Sequence, residues 1–259
     1  MSMQNEFSLK GKTILVTGGA GFLGKYFSKA LAEAGGRVVV TDKNEEAALA
    51  GAAELGEGHL GLSLDVTNQA SVEAAFEKAG QVEVVVNNAA IDPKFDPSAD
   101  NNSQLFENYP EELLNASVNV NLLGYVRVAQ AAVKRMLVNG SGNIINISSI
   151  YGMSGPDQTI YPAGTQKPVD YAITKGGVVM LTKWLATTYG QNGVRANTLS
   201  LGGVFKGHDQ EFVRKYGQHN AFRRMTEPAE VGAPLVFLAA NSSRGMTGQM
   251  ICVDGGWKI

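Results

Sequence analysis

The chain has 259 residues, with 22 Lys and Arg against 24 Asp and Glu, a net charge of −2 and a hydrophobic share of 44%. That balance leaves no basic footprint for nucleic acid and no basic amphipathic stretch for a membrane surface. The apolar runs are strand-sized, and the first ten residues have no apolar core of a signal peptide. One cysteine, Cys252, and three scattered histidines, His59, His208 and His219, argue against disulfides and a metal site and for a cytoplasmic setting. Glycine is the outlier: 31 residues, well above the ~7% of ordinary usage, with no collagen-like period.

In chain order, short β-branched runs alternate with helical patterns. Thr13–Thr17 reads as a buried strand, Phe22–Ala34 as a helix stopped by Gly35-Gly36, and Arg37–Thr41 as a second strand. Asn44–Leu55 is helical with Asn44 as N-cap, and Leu60–Leu64 is a third strand. Thr67 or Asn68 caps a helix to about Ala79, and Glu83–Val86 is a fourth strand. Ile91–Pro110, rich in Pro, Asp, Asn and Ser, reads as a long loop with at most a helical turn. A long helix is expected over Glu111–Val138, a strand over Asn143–Ser148, a loop over Gly152–Pro168 and a helix over Asp170–Tyr189. Val194–Leu199 is a strand, Gly202–Arg224 an irregular segment with room for a short helix, Pro228 a helix opener, and Gln249–Val253 the last strand. Seven strands without clear alternation are buried on both faces, which predicts a doubly wound parallel α/β sheet between two helical layers, in one domain over 1–259.

The segment Thr17-Gly18-Gly19-Ala20-Gly21-Phe22-Leu23-Gly24 follows the first strand and opens the first helix. Glycines there permit a tight turn and a close backbone approach to a pyrophosphate, and the helix N-terminus favours the anion. A ligand-free glycine turn has the same letters. Asp42 ends the second strand, where a carboxylate accepts bonds from ribose hydroxyls and repels a 2′-phosphate, favouring NAD; Lys43 beside it pulls the other way. Asp65-Val66 ends the third strand and suits adenine, or merely a helix-opening turn. Tyr171 and Lys175 share a helix face, and an ammonium near a phenol lowers its pKa, so the two can form a general acid/base. Such a pair also arises by chance on surfaces.

Six motifs then occur in order: the glycine turn, Asn87-Asn88-Ala89-Ala90, Asn121, Ser148-Ser149, Tyr171-x-x-x-Lys175, and Val253-Asp254-Gly255-Gly256. Together they resemble the short-chain dehydrogenase/reductase family, its short single-domain branch, over nearly the whole chain. The resemblance implies a Rossmann fold and a hydride exchanged between a nicotinamide cofactor and an alcohol or carbonyl. It implies Tyr171 as acid/base, Lys175 on the nicotinamide ribose, Ser149 on the substrate oxygen, and Asn121 holding a water that connects Lys175 to solvent. It also implies Asn88 and Ala89 along the cofactor cleft, and a homodimer or homotetramer packed through the two long helices.

Four features depart from the pattern. Phe22 stands where the short branch usually has glycine, a spacing closer to the extended branch, although length and tail favour the short one. Ala90 replaces a glycine, which a negative φ accommodates. Leu201-Gly202-Gly203-Val204 replaces the usual Pro-Gly, with Lys206 near the position of a carboxamide-binding threonine; Val204 can still offer its backbone. Twenty-two residues separate Ser149 from Tyr171, and this insert, with Ile91–Pro110, suggests a deep polar pocket lined by Asp92, Tyr151, Tyr161 and His219. Polar walls favour a sugar-like substrate, and the stretch from Asn87 to Lys94 resembles reductases of bacterial surface-sugar and flagellin-glycan pathways. The alternatives are a ketoreductase of acyl or lipid carbonyls and a nucleotide-binding sensor without turnover.

Overall fold

The computed structural model describes residues 3–92, 105–162 and 164–257. Seven strands form one sheet: β1 (Thr13–Thr17), β2 (Arg37–Asp42), β3 (Leu60–Ser63), β4 (Val84–Asn87), β5 (Gly142–Ser149), β6 (Val194–Leu201) and β7 (Met250–Val253). Their spatial order is β3-β2-β1-β4-β5-β6-β7, and every pairing is parallel. The helices are α1 (Met3–Phe7), α2 (Phe22–Glu33), α3 (Glu45–Ala53), α4 (Gln69–Ala79), α5 (Glu111–Val118), α6 (Gly124–Asn139), α7 (Val169–Tyr189), α8 (Gln210–Gln218) and α9 (Gly232–Ala239).

Alternate residues of each strand serve opposite cores. Leu15, Val39, Val85 and Ile144 face Val72 and Phe76 of α4 and Val128 and Met136 of α6. Their neighbours Ile14, Val16, Val38, Val40 and Ile145 face Phe27 and Leu31 of α2 and Leu235 and Leu238 of α9. Burial on both faces is why the strands read as unbroken apolar runs; each such side chain contributes roughly 1.5–3 kcal/mol. Strand order reverses between β1 and β4, and the crevice outside the carboxyl ends of the strands there is where this architecture takes ligands.

Some boundaries differ from expectation. The single long helix is two, because Asn119–Leu123 forms a π turn between α5 and α6. Gly202–Arg224 contains α8, capped by Asp209, whose carboxylate accepts from the Phe212 N–H at 2.9 Å. Pro228 opens a 3₁₀ turn, Pro228–Val231, that runs into α9. The loop after Gly152 contains a 3₁₀ turn at Gln158–Ile160, and α1 was not anticipated. In the Ile91–Pro110 segment a 3₁₀ turn spans Phe106–Asn108; residues 93–104 lie outside the described residues.

Candidate active site

The glycine turn is closed by contacts that leave no room for side chains. Gly18 has φ +61, and a Cβ on Gly24 would stand 2.1 Å from the Gly18 carbonyl oxygen. The Gly21 N–H donates to Gly18 O at 3.1 Å, and Gly21 is the N-cap of α2. Phe22 and Leu23 begin the helix half-buried, and the Phe22 ring meets Tyr26 edge-on at 5.7 Å and Lys206 Nζ at 4.8 Å. Phe22 therefore occupies the first helical position of α2, packed beside Tyr26 and Lys206. A groove of about 610 Å³ between α2 and α3 meets this turn only at Gly19 and Phe22 and holds none of the catalytic candidates.

Asp42 is half-buried at the end of β2, with Oδ1 accepting from the Asn44 N–H at 3.2 Å. Asp65 forms a turn, its Oδ1 accepting from Thr67 N and Thr67 Oγ1 at 2.8 and 2.7 Å. Those Thr67 bonds hold its carboxyl below the usual range. Val66 is buried against Gly124, and its carbonyl accepts from Arg127 at 3.3 Å. Asp65 thus builds the helix-opening turn at the very strand end where adenine was expected.

Asn88 buttresses the glycine turn: its Nδ2 donates to Thr17 O and Gly18 O at 2.9 and 3.0 Å. The backbone N–H groups of Asn88 and Ala89 both donate to Thr17 Oγ1. Ala90 has no positive φ, as the alanine requires. Asn121, fully buried in the π turn, clamps Ile91 from both sides: Oδ1 accepts from Ile91 N and Nδ2 donates to Ile91 O, each at 2.8 Å. Its side-chain amide is thereby committed to the Ile91 backbone.

Ser149, Tyr171 and Lys175 converge where β5 ends against the first turns of α7. Ser149 Oγ accepts from Tyr151 N at 3.2 Å and hydrogen-bonds the Tyr171 phenol. Lys175 Nζ donates to Ile147 O at 3.0 Å and lies 5.8 Å from the Tyr171 ring centroid. Ser148 Oγ donates to Lys175 O at 2.9 Å, fastening α7 to β5. Burial lowers Lys175 to about 8, against a partial rise from Asp92. Burial also raises Tyr171, Asp92 raises it further, and the Ser149 bond opposes both. The net effect holds the Tyr171 phenol above its ordinary value.

The insert folds over this centre. Tyr161 Oη donates to Tyr151 Oη at 3.1 Å, and burial raises both phenols. Tyr161 also meets Phe212 of α8 at 5.8 Å. His219 Nδ1 lies 3.2 Å from Asp157 Oδ2 and packs near Trp257. Asp92 is exposed at the mouth and pairs with Lys167, whose Nζ sits 4.1 Å from the centroid of the Tyr171 ring. Lys167 was not anticipated; its place four residues before Tyr171, mirroring Lys175 four after, was the available signal. Tyr216 was also missed. Its Oη accepts from Gly203 N at 2.6 Å, and a Cβ on Gly202 or Gly203 would fall 2.7–2.8 Å from Tyr216 atoms. Those glycines admit Tyr216, while Val204 continues into a bridge with Thr226.

Comparisons with known proteins agree with this arrangement. A family model described as enoyl-(acyl carrier protein) reductase matches residues 20–258. Post-translational flagellin modification protein A of Campylobacter coli is 31% identical over 260 residues, covering 97% of this chain and 100% of that protein. L-fucose dehydrogenase of Oryctolagus cuniculus is 35% identical over 263 residues, covering 96% and 86%. A solved gluconate 5-dehydrogenase from Burkholderia cenocepacia J2315, in complex with NADP and tartrate, is similar with a TM-score of 0.87 at 29% identity, covering 98% of each chain. With the ordered motifs, the parallel sheet and the Ser149/Tyr171/Lys175 cluster, these matches make the chain an oxidoreductase of the short-chain dehydrogenase/reductase family.

Proposed function

We propose that the chain is a single-domain, NAD-preferring dehydrogenase/ketoreductase of a neutral polyol or sugar. The observation that carries this reading is the convergence of Ser149, Tyr171 and Lys175 beneath a wall bearing Asp92, Lys167, Tyr151 and Tyr161. The name of the L-fucose enzyme points to the same substrate class. A charged wall of this kind disfavours an acyl or lipid carbonyl, and an intact acid/base cluster disfavours a sensor without turnover.

The glycine turn fits a dinucleotide, since Gly18 and Gly24 pack too closely for any side chain and the turn leads straight into the N-terminus of α2, which favours an anion. Gly18, Gly21, Phe22, Leu23 and Gly24 would hold the pyrophosphate, Asp42 the adenosine ribose, and Asp65 and Val66 the adenine. Asn88 and Ala89 would border the cleft, Tyr171 and Lys175 would reach the nicotinamide ribose, and Val204 would offer its backbone to the carboxamide. When bound, the nicotinamide supplies or accepts the hydride. Ser149 holds the substrate oxygen, and the neutral phenol of Tyr171 gives that oxygen a proton as negative charge builds on it in reduction. In oxidation Tyr171 takes the proton back, with the Lys175 cation favouring the phenolate.

NAD preference rests on Asp42, whose carboxylate opposes a 2′-phosphate. An exposed stripe of Ile173, Met180 and Trp184 along α7 supports a homodimer or homotetramer. No described helix is long and apolar enough to cross a membrane; with one cysteine, this supports a cytoplasmic enzyme. The test is a panel of neutral sugars, polyols, gluconate and acyl thioesters followed at the nicotinamide absorbance, with Tyr171→Phe beside wild type. The variant is expected to lose turnover and keep NADH binding; turnover in Tyr171→Phe refutes the assignment.

A further inference from the structure

Two charged residues stand over the reacting centre without a part in the proton transfer. Lys167 has a side chain only 12% exposed, with its ammonium above the Tyr171 ring and paired with Asp92. Both are held from the backbone. The Lys167 N–H donates to Gln158 Oε1 at 2.8 Å. Asp92 follows Ile91, whose N–H and carbonyl are both bonded by the buried amide of Asn121. The Asp92 carboxylate raises Tyr151, Tyr161 and Tyr171 together, so it faces the same space as all three phenols. An ordinary surface pair of long side chains gains little and is seldom anchored at both ends.

We propose that Asp92 and Lys167 are specificity-determining residues that grip two neighbouring hydroxyls of a neutral polyol or sugar, beside the carbon whose oxygen meets Ser149 and Tyr171. This rests on the polyol reading above and assigns it to two side chains. A carboxylate only accepts hydrogen bonds and an ammonium only donates them, whereas a hydroxyl does both. Two adjacent hydroxyls satisfy the pair without separating its charges, and bonds to charged groups are the stronger kind. An anionic substrate would be drawn to Lys167 and repelled by Asp92. An acyl chain would strip water from both charges and replace it with nothing. The pair therefore selects against both classes, and Lys167, packed on the Tyr171 ring, sets the distance from the grip to the acid/base.

The test uses the full chain in the Tyr171→Phe background with NAD+ bound, the cofactor form that pairs with an alcohol, so that binding is read without turnover. Calorimetric titrations with threitol, L-fucose and 2-butanol, and with gluconate as the anion, are made on this protein and on added Asp92→Asn, Lys167→Met and Lys167→Arg. Asp92→Asn and Lys167→Met are expected to weaken polyol binding by about tenfold, the loss of a charge-assisted bond. NAD+ affinity and 2-butanol binding stay unchanged, and Lys167→Arg restores most of the loss. Polyols that bind wild-type and variant sites equally overturn the grip and leave the polyol reading standing. Gluconate that binds better in Asp92→Asn and is lost in Lys167→Met overturns it in favour of an anion site. If none of the polyols binds any form while NAD+ does, the polyol reading fails and the grip with it.

Discussion

Replacing Asn121 with alanine should loosen the floor of the substrate pocket by an amount that follows from two bonds. The buried amide accepts from Ile91 N and donates to Ile91 O, both at 2.8 Å. Ile91 borders solvent, so its orphaned groups can recover water, and each bond is worth ~1 kcal/mol rather than a full desolvation penalty. The sum, about 2 kcal/mol, should lower the thermal midpoint by roughly 4–8 °C in a chain of this size. It should also speed hydrogen exchange at the Ile91 amide by about thirtyfold if that bond limits local opening. Asn121→Asp keeps the size but turns an oxygen toward the Ile91 carbonyl, and should be no more stable than the alanine variant. Urea denaturation and amide exchange by mass spectrometry read both effects. An unchanged midpoint together with unchanged exchange at Ile91 would refute the clamp.

Three other outcomes follow from the geometry. Lys175 sits near 8 in the fold against an ordinary 10.5, so the unfolded chain binds more protons between those values and stability rises with pH across that window. Lys175→Met should flatten that rise, worth up to about 3 kcal/mol, in urea midpoints at pH 7.5 and 9.5; an equal slope in both proteins counts against the burial argument. Gly24→Ala forces a methyl to 2.1 Å from the Gly18 carbonyl and should abolish NADH fluorescence binding, whereas Phe22→Gly, which only removes a half-buried ring beside the turn, should retain it; normal binding by Gly24→Ala defeats the cradle. Asp42→Ala should narrow the preference for NAD over NADP by about tenfold, the loss of one close like-charge contact, measured as a ratio of kcat/KM; a wild type that prefers NADP overturns the role given to Asp42.

The sheet was legible because both faces are buried, which writes itself as Val38-Val39-Val40 and Val84-Val85-Val86. The proximity of Tyr171 and Lys175 was legible because one helix carries them four residues apart. The π turn was not, since α5 and α6 keep a single helical periodicity through it and the widening serves Ile91, thirty residues away. Lys167 and Tyr216 escaped for a related reason: their partners, Asp92 and Gly203, meet them only through tertiary folding of polar segments. Gly202 and Gly203 make room for Tyr216, a contact that no local pattern announces. Local chemistry was visible, and long-range contacts between loops were not.

The contact of Gly24 with the Gly18 carbonyl also bears on how much ligand binding costs. Thr17, Gly18 and Asn88 are already joined by hydrogen bonds, and the first turn of α2 is already wound against them. The entropy of arranging these backbone groups has been surrendered during folding, so little remains to be lost when a phosphate arrives. Affinity at this end should therefore be governed by dissociation, with the cradle presenting the same shape full or empty.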